Sequence, residues 1–242
     1  MHDVMHRMAA CTGVRTSDRP APRARLARAL SLFSLVTFSL ALTAFLAIQM
    51  TPAQAGAKAP SEASGQDMYK RGFYPEALAE WKKAVAQARD AGAAFRLGEE
   101  YFDAKVVSRD IAQALEYYTF GAEHGDARAQ MDLGSMYDKG WGVTRNAELA
   151  AKWYKAAADQ GMAEAQYNIG TMLQTGEGLA KDERSAYAYF MLAVENGFPQ
   201  FASKELENLS STMKPEDIRQ ATLLAQEIKG RTRKGAPETA TR

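Results

Sequence analysis

The sequence predicts an all-α fold, an α-solenoid (α/α superhelix) of helix–turn–helix repeats. Three observations predict it. Glycine recurs at Gly98, Gly134 and Gly170, and again at Gly125, Gly161 and Gly197, each step being 36 residues. Apolar and aromatic residues around those glycines keep helical spacing in every copy. Short polar residues, Asp110, Asn146 and Asp182, recur just ahead of the second apolar stripe, where free helix amides need acceptors. One helix pair cannot bury its apolar face alone, so neighbouring pairs are expected to stack.

The chain opens on a segment of another kind. Residues 1–28 hold six arginines and two acids, and Ala29 to Ile48 carries no charge. Ala53-Gln54-Ala55 follows. A basic stretch, an apolar stretch and a small-x-small site predict a secretory signal peptide over residues 1–55. The apolar run is also long enough to span a bilayer uncleaved, as a single N-terminal anchor. Cleavage would leave the rest periplasmic or secreted. Retention would tether it to the inner membrane, with the repeats outside the cytoplasm. Residues 56–64 read as a flexible linker and 231–242 as a disordered tail.

Whole-chain totals hide this division. There are 242 residues, with 30 Lys+Arg against 29 Asp+Glu, a net charge of +1. Without the export segment, 24 basic and 27 acidic residues remain, so the working part is mildly acidic. That balance gives no electrostatic case for nucleic acid. A membrane contact is expected only through the N-terminal segment. The one cysteine, Cys11, lies in the export segment, so an oxidising compartment cannot cross-link the remainder.

Within a unit, Ala94, Leu97 and Tyr101 sit at i, i+3 and i+7 and mark one face of a first helix. Ala114, Tyr117, Tyr118 and Gly121 do the same for a second helix. Gly125, Gly161 and Gly197 follow that helix, where a left-handed cap favours glycine. Gly98, Gly134 and Gly170 lie inside the first helix, where glycine costs about 1 kcal/mol against alanine. Three copies of that cost imply a steric need: the partner helix packs too close for a Cβ.

Residues Ala127–Ala165 read ARAQMDLGSMYDKGWGVTRNAELAAKWYKAAADQGMAEA. This resembles the Sel-one-like repeat, a relative of the tetratricopeptide repeat, through Leu133, Gly134, Tyr137, Gly140, Gly142, Val143, Ala150, Trp153, Tyr154, Ala157, Ala158 and Gly161. The third unit keeps Gly170, Gly176, Gly178 and Gly197, with Leu173 in place of tyrosine. The first has Lys105-Val106-Val107 where the G-x-G turn belongs, so the shape of its turn stays open. The resemblance covers 94–201 and implies three repeats. Residues 65–93 carry Gly72, Tyr74, Ala77, Trp81 and Ala84 at the spacing of a tetratricopeptide second helix and read as an N-terminal cap. Residues 202–230 read as two C-terminal capping helices: a stripe of Ala202, Leu206, Leu209 and Met213, then a helix opened by Pro215 and closed at Gly230.

Motifs for chemistry are few. His124 is the only histidine beyond the export segment, and its column (His124, Gln160, Asn196) is simply polar. A general base needs a positioned partner, which the sequence does not supply. Gly140-x-Gly142 and Gly176-x-Gly178 recur once per repeat and follow no strand, so turn geometry explains them better than phosphate binding. Adjacent Glu99 and Glu100 point about 100° apart on a helix and do not form a catalytic pair. No cofactor or metal motif is found, and the chain is not expected to be an enzyme.

The resemblance implies a scaffold that binds another protein or an extended peptide. In related solenoids, first-helix side chains line the concave face. Here those positions are Phe95, Glu99 and Phe102; Met131, Ser135 and Asp138; and Tyr167, Thr171 and Gln174. The column Phe95/Met131/Tyr167 is apolar at every step, which suits a peptide groove. It suits burial against a neighbouring helix equally, and the sequence leaves that open. Some cysteine-rich members of the family are discussed as β-lactam binders. An envelope enzyme or a peptidoglycan- or β-lactam-binding protein is therefore the alternative, weakened by the missing cysteines.

Overall fold

A computed structural model describes residues 59–235. The expected export segment lies outside the described residues, as do the start of the linker and the end of the tail. Among the described residues there are ten helices and no strand. No helix among them is long and apolar enough to cross a membrane.

Three helix pairs form the array. They are α3 (Ala91–Asp103) with α4 (Ile111–Glu123), α5 (Ala127–Lys139) with α6 (Ala147–Asp159), and α7 (Ala163–Thr175) with α8 (Glu183–Glu195). Ahead of them lie α1 (Glu62–Lys70) and α2 (Tyr74–Lys83), which runs on through a π-turn to Ala88. After them come α9 (Pro199–Thr212) and α10 (Pro215–Gly235). Each first helix packs on its own second helix, and that second helix on the next first helix. The core is correspondingly serial. Trp81 and Leu97 sit in one cluster, Phe95 and Leu133 in the next, Tyr154 and Ile169 in a third, and Phe190 and Leu209 in the last.

The helical glycines have the expected steric cause. A Cβ on Gly98 would lie 2.7 Å from the Tyr118 ring, on Gly134 2.7 Å from Tyr154, and on Gly170 2.8 Å from Phe190. Each aromatic ring is buried against backbone that only glycine leaves bare. The second helices are capped as the sequence predicts: Asp110 accepts from the Gln113 amide, Asn146 from Leu149, and Asp182 from Arg184 and Ser185. The cap residues also anchor the turn. Their own amides donate to the carbonyls of Tyr101, Tyr137 and Leu173, each at 2.9 Å. A backbone acceptor does not depend on side-chain type, so Leu173 can replace tyrosine without changing the turn.

The turn of the first unit starts one residue earlier than expected: Lys105 stands at its middle, and Val106 does not take the positive φ of Gly142 and Gly178, so the turns agree only at Ala104. Ala104 takes the left-handed conformation (φ 58°) that Gly140 and Gly176 take in the other units. An alanine there costs about 1 kcal/mol or slightly more, yet the helix ends at the same place.

Four boundaries differ from expectation. The linker does not reach Ser64: Ser61 caps α1 by accepting from the Ser64 amide, and the Glu62 amide donates to Asp90 Oδ2. The first repeat starts at Ala91 rather than Ala94, because Asp90 caps α3. The first C-terminal helix starts at Pro199 rather than Ala202, proline being favoured in the first turn. The last helix runs through Gly230 to Gly235, past the start assigned to the tail. Thr232 accounts for that, since its hydroxyl donates to the Asp159 carbonyl at 2.9 Å and holds the extra turn on α6.

Candidate functional site

The first helices α3, α5 and α7 present their lining positions on one side of the array. The first column is mostly packing, which takes Phe95 out of the groove. Phe95 is 6% exposed, packed on Tyr118 and covered by two guanidinium groups. Arg128 stands 4.3 Å and Arg96 5.4 Å from its ring centre. Glu62 of α1 holds both arginines in place, at 2.9 and 3.0 Å. Burial pushes the Glu62 carboxyl up, but Arg128 and Arg96 outweigh it and hold it below the usual carboxylate range. Met131 is also 6% exposed. Only Tyr167 keeps a half-exposed ring, in an aromatic group with Phe198 at 5.5 Å and Phe201 at 5.9 Å.

The other two columns open onto clefts. A cleft of about 290 Å³ between α3 and α5 takes Glu99, Phe102, Met131 and Ser135 into its wall. A more open one of about 530 Å³ between α5 and α7 takes Asp138, Tyr167 and Thr171. Gln174 donates to Glu205 of α9 instead, at 3.2 Å. Seven of the nine positions thus line two neighbouring clefts, while Phe95 and Gln174 line neither.

Other wall residues escape the repeat columns used to find these. Trp141 is the middle residue of the Gly140-x-Gly142 turn and stands 47% exposed, its ring 5.5 Å from Phe102. An exposed tryptophan in a turn was the one signal available for it. Asp132 and Glu164 also face the first cleft, with Asp103 and Tyr118. Burial, then the nearby Glu99, pushes the Asp132 carboxyl up to about 7; Glu164 and Asp103 add to this, and the Tyr118 hydroxyl partly offsets it.

Two buried glutamines were likewise not picked out. Gln130 donates to the Ala122 carbonyl and accepts from Gln160, while Gln166 donates to the Ala158 carbonyl and accepts from Asn196. Gln160 and Asn196 belong to the His124 column, so that column serves to tie units together. His124 itself bonds the Phe120 carbonyl and accepts from Arg89 Nε at 3.1 Å. Glu99 and Glu100 part company, as expected: Glu99 pairs with Arg96, and Glu100 is buried with one oxygen unpartnered. Among the described residues, no three His, Cys, Asp or Glu side chains gather closely enough to hold a metal ion.

Comparison with known proteins agrees with the repeat period. The model of the Sel1 repeat matches residues 91–126, 127–162 and 163–198. A Sel1 repeat protein from Oxalobacter formigenes, known from its crystal structure, is 33% identical; the match covers 54% of this chain and 97% of that one, with a TM-score of 0.50. The protective antigen c5321 of uropathogenic Escherichia coli, which displays an SLR fold, is 22% identical over 76% of this chain and 50% of its own, TM-score 0.44. Helicobacter pylori cysteine rich protein B is 21% identical over 52% of this chain and 95% of its own, TM-score 0.41. No curated protein matches the chain.

Proposed function

This chain belongs to the Sel1 repeat family, and we propose that it is a non-catalytic adaptor outside the cytoplasm, binding a protein or an extended peptide along its first-helix side. Sel1 repeat proteins are generally protein-interaction scaffolds. The observation that carries the finer reading is the contrast between the two sides of the array. Clefts with mixed polar and aromatic walls open between successive first helices, whereas α10 packs along α8 and reaches the end of α6. An elongated face with recurring shallow sites suits a chain laid across successive repeats. The export-type segment in residues 1–55 supports the placement outside the cytoplasm.

A photo-crosslinking amino acid at Ser135 or Thr171, introduced into the full chain in cells, tests this. Adducts from these two positions, and none from exposed Lys152 on a second helix, are expected. Adducts from Lys152 alone would overturn the assignment of the face. A thermal shift with peptidoglycan fragments or β-lactams, and no protein adduct, would favour the envelope-ligand alternative. An alkaline phosphatase fusion after Lys58 reports the compartment, and an inactive fusion would sink that part.

A further inference from the structure

The cleft between α3 and α5 has a chemistry its neighbour lacks. Its wall draws carboxylates from three helices: Glu99 and Asp103 of α3, Asp132 of α5 and Glu164 of α7. Arg96 pairs with Glu99, and Lys105 with Asp103. Among the described residues, Asp132 and Glu164 have no ion pair, although Asp132 is mostly buried. The second cleft balances its charges: Asp138 and Glu177 face Lys139 and Arg145, and Arg145 bonds Glu177.

A carboxylate held out of water beside other carboxylates is an electrostatic debt that an incoming cation settles. The remaining wall says which cation. Three aromatic rings, Phe102, Tyr118 and Trp141, stand around the carboxylates, with Trp141 exposed at the mouth. Aromatic faces attract ammonium and guanidinium groups, tryptophan most strongly. The chain already uses this chemistry, stacking Arg128 over Phe95 and, in the cleft wall itself, Arg109 over Phe102, so Trp141 is the ring left exposed to an incoming cation. Met131 supplies an unbranched apolar surface that accommodates a methylene stem. The carboxylates do not converge as a metal site requires. At about 290 Å³ the cleft has room for a long side chain rather than a folded element.

From this wall of carboxylates and aromatic rings we infer that the α3–α5 cleft seats a lysine or arginine side chain of the bound segment, so that the partner is a basic peptide. The inference rests on the adaptor reading above and names the occupant of that face.

Fluorescence anisotropy on the full chain tests it, using a short labelled peptide that alternates lysine with serine. Matched peptides carry norleucine or glutamate at the lysine positions. The lysine peptide should bind at least about tenfold more tightly than either. Asp132→Asn with Glu164→Gln should weaken it at least about tenfold, and Trp141→Ala about threefold or more. Phe201→Ser, on α9, should leave it unchanged. Thermal melts check that each variant folds, and Glu164→Gln alone, at an exposed position, guards against loss of fold in the double variant. No binding of the lysine peptide, equal binding of the norleucine peptide, or undiminished binding to the double variant would overturn the inference. Should Ser135 crosslink a partner through a segment without lysine or arginine, the basic occupant falls and the adaptor stands. If no adduct forms at Ser135 or Thr171, the adaptor reading falls as well.

Discussion

The two sides of this repeat array follow different rules. Where first and second helices meet, the three units are near copies: Gly98 against Tyr118, Gly134 against Tyr154, Gly170 against Phe190. On the first-helix side they diverge, with Glu99, Ser135 and Thr171 in one column and Phe102, Asp138 and Gln174 in another. The interior contact admits one solution, a ring on bare backbone, because close packing leaves no slack. The outer positions are free to differ, so the identity of the molecule is written there. One cleft is acidic and aromatic, and the next is charge-balanced.

The sharpest way to break this contrast is to remove a ring from each side. Phe190→Ala, at a fully buried ring, should lose about 3–5 kcal/mol in urea unfolding. Phe102→Ala, in a half-exposed cleft wall, should lose clearly less. Equal losses would mean that the cleft wall is structural core.

A glycine comes next. Alanine gains about 1 kcal/mol over glycine in a helix interior, but overpacking costs about 1–3 kcal/mol. At Gly134 a new Cβ would meet the buried Tyr154 ring at 2.7 Å. Gly134→Ala should therefore lose up to about 2 kcal/mol net, measured by chemical denaturation. A gain would show that the interior contact has slack after all.

Asp132 sharpens the other side. Its carboxyl, faced by Glu99 and Asp103 of α3, Glu164 of α7 and the Tyr118 hydroxyl, sits at about 7 against an unfolded 3.8. The folded state therefore binds the extra proton between these values, and this group's contribution to stability falls as pH rises through that window. Asp132→Asn removes the penalty. It should raise stability by about 1 kcal/mol at pH 8, after allowance for partial exposure, and by nothing near pH 4. Melting curves at both pH values check it, and a variant that destabilises equally at both would refute the repulsion.

The smallest effect belongs to Gly230, where a Cβ meets nothing within 4 Å. Gly230→Ala should stabilise by about 0.5 kcal/mol, seen as a small rise in Tm. Set against Gly134→Ala, the same substitution changes sign between the two places.

Local physics made much of this legible in the sequence. The caps Asp110, Asn146 and Asp182 act within three residues of themselves, and the steric need at the helical glycines follows from the cost of placing glycine there. What stayed hidden depends on distant residues. Burial of Phe95 requires Arg128, and Arg128 is held by Glu62, 66 positions away. Periodicity cannot announce such a bond. The same holds for α10, whose continuation past Gly230 depends on a carbonyl 73 residues upstream. Trp141 was missed for another reason: as the variable residue of a turn, it shares its column with Lys105 and Glu177 and carries no repeat signal.

Those two long ties have a joint consequence for the middle of the array. Arrays of this kind grow or shrink by duplicating or deleting whole units, because each unit contacts only its neighbours. Here the first helix reaches past the first unit to grip the second, through Glu62 and Arg128. The last helix reaches back past the third unit to grip the second as well, through Thr232 and the Asp159 carbonyl. The middle unit is thus held from both ends, by a side-chain grip on its first helix and a backbone grip on its second, so a change that loosens it would be felt at both caps.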